Sequence, residues 1–139
     1  MKSGAVVTNG TDAPVEDVSP ILSFYASVSR QLKDGSVFYS GQRMSREEAL
    51  KSYTLDCAWA AFEDNIKGSL TPGKLADITV LSKDIMTIPE DEIPTARVVY
   101  TIVGGKVVYR SVGAVFASSL YTVLTTTSST AEPQGPGWP

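Results

Sequence analysis

The chain has 139 residues, 42% hydrophobic and 19% charged, with a net charge of −3; this is the composition of one modest soluble domain, without the basic field that nucleic acid or an anionic membrane surface would need. It contains no histidine, which argues against a self-contained zinc hydrolase site, because imidazole is the commonest protein ligand of zinc and the commonest general acid or base. A carboxylate-only site for magnesium or calcium stays compatible with the composition, but no Asp-x-Asp-x-Asp-Gly loop is present to make it specific.

Met1 to Asn9 carries one lysine and a short apolar run, Ala5-Val6-Val7, too short for the core of an export signal. With a lone cysteine, Cys57, and so no internal disulfide, the cytoplasm is the expected location. Gly4 to Asn9 reads as a strand buried on both faces and ending at Gly10. Asp12 then falls just beyond the strand's carboxyl end, the edge where α/β folds and barrels gather ligand-binding groups. Read alone, Asp12 is more simply a turn or helix-cap aspartate, and its neighbours Glu16 and Asp17 are more simply solvated loop charges than part of a carboxylate cluster.

Ser19 as N-cap and Pro20 as first helical residue predict a helix from Pro20 to Leu32, with Ile21, Leu22, Tyr25, Val28 and Leu32 as its apolar stripe. Residues 33–44 read as a loop with a brief extended segment at Val37-Phe38-Tyr39. Ser45-Arg46-Glu47-Glu48 is a capping box that starts a second helix to Tyr53, continuing after a break near Thr54 through Ala58-Trp59-Ala60-Ala61-Phe62. Tyr53, Trp59 and Phe62 read as core aromatics, and Cys57 as a small buried side chain with no histidine to make it a nucleophile.

From Gly68 to Arg110 the chain reads as mainly β. Thr71-Pro72-Gly73 is a tight turn and Ala76 to Leu81 a strand. Arg97 to Val103 and Lys106 to Tyr109 form a hairpin closed by Gly104-Gly105, which carries no phosphate-loop pattern. Val112 to Leu124 is apolar but shorter than the roughly 20 residues of a bilayer-spanning helix. The Ser/Thr- and Pro/Gly-rich end that follows reads as a disordered tail.

Taken together, Gly10-Thr11-Asp12-Ala13-Pro14-Val15, the Ser45-Arg46-Glu47-Glu48-Ala49-Leu50 helix start leading to Tyr53-Thr54, Gly68 to Leu81, and the hairpin Thr101 to Tyr109 resemble the C-terminal third of the amidohydrolase family 3 enzymes, in that family's order and spacing. The resemblance implies an α+β chain: the last strand and helices of an incomplete (β/α)8 barrel in residues 1–66, then strands of a small β-sandwich in residues 67–110. Residues 111–139 form an extra segment without counterpart. It also implies that Asp12 is the catalytic aspartate at the end of the eighth barrel strand, able to ligand a divalent metal, usually zinc, and to take a proton from the attacking water. Asp77 would be structural, at a strand start.

The His-x-His pair and later ligands of that family are not in this sequence, and a (β/α)8 barrel alone takes about 250 residues. The expectation is therefore a segment of an enzyme that hydrolyses carbon–nitrogen bonds of amides, imides or N-acyl compounds. By itself it would be inactive and without cofactor; its partners would be the remaining N-terminal barrel portion or a second copy, with a small-molecule substrate in the complete enzyme. The other reading is a noncatalytic α+β module that self-associates or binds another chain.

Overall fold

The structure, a computed structural model, describes residues 4–112. Its first helix, α1 (Pro20–Ser29), starts where the sequence places it: the Ser19 hydroxyl accepts the Leu22 N–H at 3.4 Å, and Pro20 takes the first position, where no amide is needed. It stops three residues earlier than predicted. Arg30 turns left-handed (φ +54°) and its N–H caps the Ala26 carbonyl; the chain then doubles back, with Gln31 bridging Val37 and Phe38 N–H returning to the Arg30 carbonyl. The extended segment expected at 37–39 is thus one side of a small hairpin, with the Arg30 guanidinium stacked over the Phe38 ring at 5.3 Å.

The buried face of α1 is Phe24 and Val28, flanked by half-buried Ile21 and Tyr25. That is an i, i+3, i+4, i+7 stripe. Leu22 and Leu32, assigned to the stripe from the sequence, are 44% and 50% exposed: Leu22 lies off the packed face, and Leu32 lies beyond the point where the helix has ended.

The second helix, α2 (Arg46–Tyr53), carries the full capping box, Glu48 N–H to Ser45 Oγ at 3.1 Å and Ser45 N–H to Glu48 Oε2 at 2.8 Å. The predicted break falls at Thr54, whose hydroxyl donates back to the Leu50 carbonyl at 2.8 Å, and α3 (Leu55–Ala60) follows. Trp59 and Phe62 are not core aromatics: they are 54% and 91% exposed, because α3 packs through Ala58 instead. The reason for that choice is Gly68, where an added Cβ would stand 2.6 Å from Ala58 Cβ and 3.1 Å from Leu55 Cα. Backbone approaches this closely only where both side chains are minimal. Tyr53 does pack, half-buried, against the helical core, and Cys57 is half-buried.

Three strands, β1 (Ile78–Leu81), β2 (Val98–Val103) and β3 (Lys106–Arg110), form an antiparallel sheet in that order. The Thr71-Pro72-Gly73 turn is closed by Lys74 N–H to the Thr71 carbonyl at 3.1 Å, with Gly73 at φ +92°. At the hairpin, Gly104 and Gly105 both have positive φ, as a two-residue turn that follows the strands' twist requires. The Asp77 carboxylate accepts the Gly104 N–H at 2.8 Å, and the Ala76 carbonyl accepts the Gly105 N–H at 3.0 Å. Asp77, one residue before β1, is therefore the structural carboxylate that the sequence reading made it.

The helices share a core with the connection between β1 and β2. Phe24, Val28 and Ala49 pack against Ile85, Ile93 and Ala96 from the connection between β1 and β2, which contains a short 3-10 helix at Glu90–Thr95. Arg46 Nη1 donates to the Ile85 carbonyl at 3.0 Å across this contact. The fold is α+β, with the sheet's own cluster at Val80, Val99 and Tyr100.

Gly4 to Asn9, expected as a strand buried on both faces, forms no strand, and its residues are exposed or half-exposed. A β-branched apolar run becomes a strand only beside a backbone that supplies ladder partners; here the three strands pair with one another, and the segment is tied down at Asn9 instead. The apolar run from Val112 to Leu124 and the tail after it fall, apart from Val112, outside the described residues. Among the described residues no helix is long and apolar enough to cross a membrane.

Candidate active-site turn at Asp12

The extended segment ends at Asn9, whose N–H donates to the Ser52 carbonyl at 3.0 Å. Three residues on, Asp12 sits at φ +54°, in the left-handed region that aspartate tolerates better than most residues. Its carbonyl accepts the Val15 N–H at 2.8 Å and the Glu16 N–H at 3.4 Å, closing a turn that contains a cis Ala13–Pro14 peptide. The chain from Ala13 to Val18 is exposed and leads directly to the Ser19 cap of α1.

Asp12 is itself exposed. Glu16 and Asp17 lie in the same exposed loop, but the fold does not gather them with Asp12 into a ligand set: among the described residues no group of three or more Cys, Asp or Glu side chains stands close enough to hold a metal ion. With no histidine in the sequence, the residues present do not fit a divalent cation. A solvated carboxylate of this kind can accept a proton from a neighbouring water. It lacks the convergent partners that fix a substrate.

Neither of two hollows among the described residues includes Asp12. The larger, about 220 Å³, lies between Gly4–Val7 and α2 and is lined on the helix side by Glu48, Lys51, Ser52 and Asp56. Lys51 and Asp56, both on that side, pair at 3.5 Å, so these two charges answer one another. The smaller, about 40 Å³, lies under the Thr71–Gly73 turn.

What sequence reasoning did not single out is the seat of the turn. The Asn9 side chain reaches the Ser52 and Ser27 hydroxyls, and the available signals were two serines on the core-facing sides of their helices, three residues after Phe24 and three after Ala49. Cys57, read as an inert small side chain, lies beside them, its Sγ 3.1 Å from the Ser52 carbonyl.

The model of a family described as the amidohydrolase family matches residues 1–109. The chain is 36% identical over 110 residues to the protein LONG AFTER FAR-RED 3 of Arabidopsis thaliana, covering 78% of this chain and 19% of the relative. It is 29% identical over 112 residues to the putative amidohydrolase YtcJ of Bacillus subtilis (78% and 21%). It is 27% identical over 114 residues to the N-substituted formamide deformylase of Arthrobacter pascens (82% and 21%). The chain thus spans about a fifth of the length of these curated relatives. No solved structure matches it.

Proposed function

The chain belongs to the amidohydrolase family, and from that premise we propose that it is the C-terminal segment of a metal-dependent enzyme hydrolysing non-peptide carbon–nitrogen bonds, inactive as an isolated chain. The observation that carries the reading is the pairing of a family match over most of the chain with a sequence that has no histidine. The relative named N-substituted formamide deformylase supports an amide of that kind as the substrate class. In this reading residues 1–66 belong to the closing end of a barrel, and residues 67–110 belong to a small β-sandwich. The single free cysteine fits a cytoplasmic enzyme.

Asp12 is the residue to which the chemistry falls. Its carboxylate would accept the proton of the attacking water and return it to the leaving nitrogen, work that one group can do because the proton gained in the first step is the one needed in the second. Any role for Asp12 in holding a divalent ion, which this reading takes to be zinc, requires further ligands from polypeptide beyond this chain, since its own residues do not make such a site.

Complementation tests the proposal. The chain with stoichiometric zinc is expected to hydrolyse no N-formyl or N-acyl amine. Adding a polypeptide matching the other four fifths of a relative is expected to produce hydrolysis, which Asp12→Asn lowers by at least about 100-fold, the lower range for a lost general base. Hydrolysis by the chain alone, or full activity of the Asp12→Asn complex, would overturn it.

A further inference from the structure

Three residues before Asp12, Asn9 enters a polar knot between the helices. Its Nδ2 donates to the Ser52 hydroxyl at 2.9 Å and to the Ser27 hydroxyl at 3.3 Å, with the Met44 sulfur at 3.7 Å. Each hydroxyl directs its only proton into its own helix, Ser52 to the Ala49 carbonyl at 2.7 Å and Ser27 to the Ser23 carbonyl at 3.0 Å. What both serines present to Asn9 is therefore an acceptor lone pair. An amide nitrogen, with two protons, matches two acceptors; a carboxylate would meet them with lone pairs of its own.

The backbone repeats the attachment. Asn9 N–H donates to the Ser52 carbonyl at 3.0 Å, and the Cys57 thiol stands 3.1 Å from that carbonyl and 3.6 Å from the carbonyl of Asn9. The Ser52 carbonyl is available because it lies in the last turn of α2, where a helix runs out of its own amide donors, and the break at Thr54 keeps it so. Ser52 is 1% exposed while Asn9 is half-buried, so removing the Asn9 amide takes a partner from a buried hydroxyl. Between Asn9 and the Ser19 cap, by contrast, the backbone of the described residues is held only by the two local bonds to the Asp12 carbonyl.

We propose that Asn9 is the positioning residue for Asp12: its side-chain amide, clamped between α1 and α2, seats the end of the N-terminal segment and so sets where the Asp12 carboxylate stands. That this placement matters for hydrolysis rests on the family reading above; the placement itself does not.

The test is backbone amide dynamics by nitrogen-15 NMR on the full chain, comparing wild type with Asn9→Ala. Order parameters at Thr11 and Asp12 are expected to fall from about 0.85 to below about 0.6, the change from a rigid to a flexible backbone, while Ala49 in the middle of α2 stays near about 0.85. An unchanged Asp12 overturns the proposal. So does an equal fall at Ala49, which would make Asn9 a general structural residue. If Asn9→Ala does not fold, Ser52→Ala carries the same comparison, since alanine favours the helix while removing the 2.9 Å acceptor; Asp12 must loosen there with Ala49 held, or the proposal fails. No turnover is measured, so a negative result leaves the family reading standing, and failed complementation leaves this one standing.

Discussion

Ser45 and Glu48 exchange side-chain and backbone hydrogen bonds across one helical turn, and the exchange has a pH dependence of known sign. The Ser45 N–H donated to the Glu48 carboxylate holds that carboxyl below the ordinary glutamate range. A folded pKa lower than the unfolded one stabilises the fold at pH values above the unfolded pKa, about 4.3 for glutamate, and the gain is lost as pH falls through the folded value. Glu48→Gln is therefore expected to cost stability near neutral pH and to converge with wild type in acid, as read by denaturant midpoints across that range. A gap that is independent of pH would contradict the assignment. The Asp12 residue was legible as a position, by its place after an apolar run, but its surroundings were not: the residues that seat it come from positions 27 and 52, and no local pattern announces a contact across such separations.

At the scale of the elements, α1 separates what periodicity can and cannot read. Ile21, Tyr25 and Val28 were correctly placed on its packed side, whereas Leu22 was included and Phe24 passed over. Hydrophobic spacing gives the direction of a stripe to within about one residue in 3.6; the surface that the helix meets decides which neighbour is buried. That surface comes from Ile85, Ile93 and Ala96, in a connection between strands that lies within the stretch read from the sequence only as mainly β. Phe24→Ala should cost about 3–5 kcal/mol, the usual range for emptying a buried aromatic position, and Leu22→Ala less than about 0.5 kcal/mol. Urea denaturation of the two variants checks this, and equal losses would put the packed face elsewhere. The capping box, the break at Thr54, the Pro72-Gly73 turn and the Gly104-Gly105 hairpin were all legible, because each depends on residues within a few positions of one another.

For the whole molecule, the unequal covering of the sheet is the feature with the largest consequence. Val99 and Tyr100, neighbours on β2 that point to opposite faces, are both buried, while β3 at the sheet edge has no buried residue and leaves Val107, Val108 and Tyr109 at least half exposed. An apolar strand at the edge of the described sheet favours pairing with another backbone. The isolated chain is accordingly expected to self-associate as its concentration rises, and Val108→Lys to weaken that association at least several-fold in sedimentation equilibrium. A wild-type chain that stays monomeric throughout, or a variant that associates as strongly, would count against it.

By itself the sequence determined the local structure and the kinship: caps, turns and hairpin follow from residues adjacent along the chain, and the absence of histidine follows from composition. Tertiary structure alone decided that Gly4 to Asn9 is not a strand, that Trp59 and Phe62 face outward, and that Asn9 rather than a strand ladder holds the Asp12 turn. Those outcomes depend on which distant backbone or side chain arrives to complete a ladder, a packed face or a hydrogen bond, and periodicity along one segment carries no information about its neighbours in space.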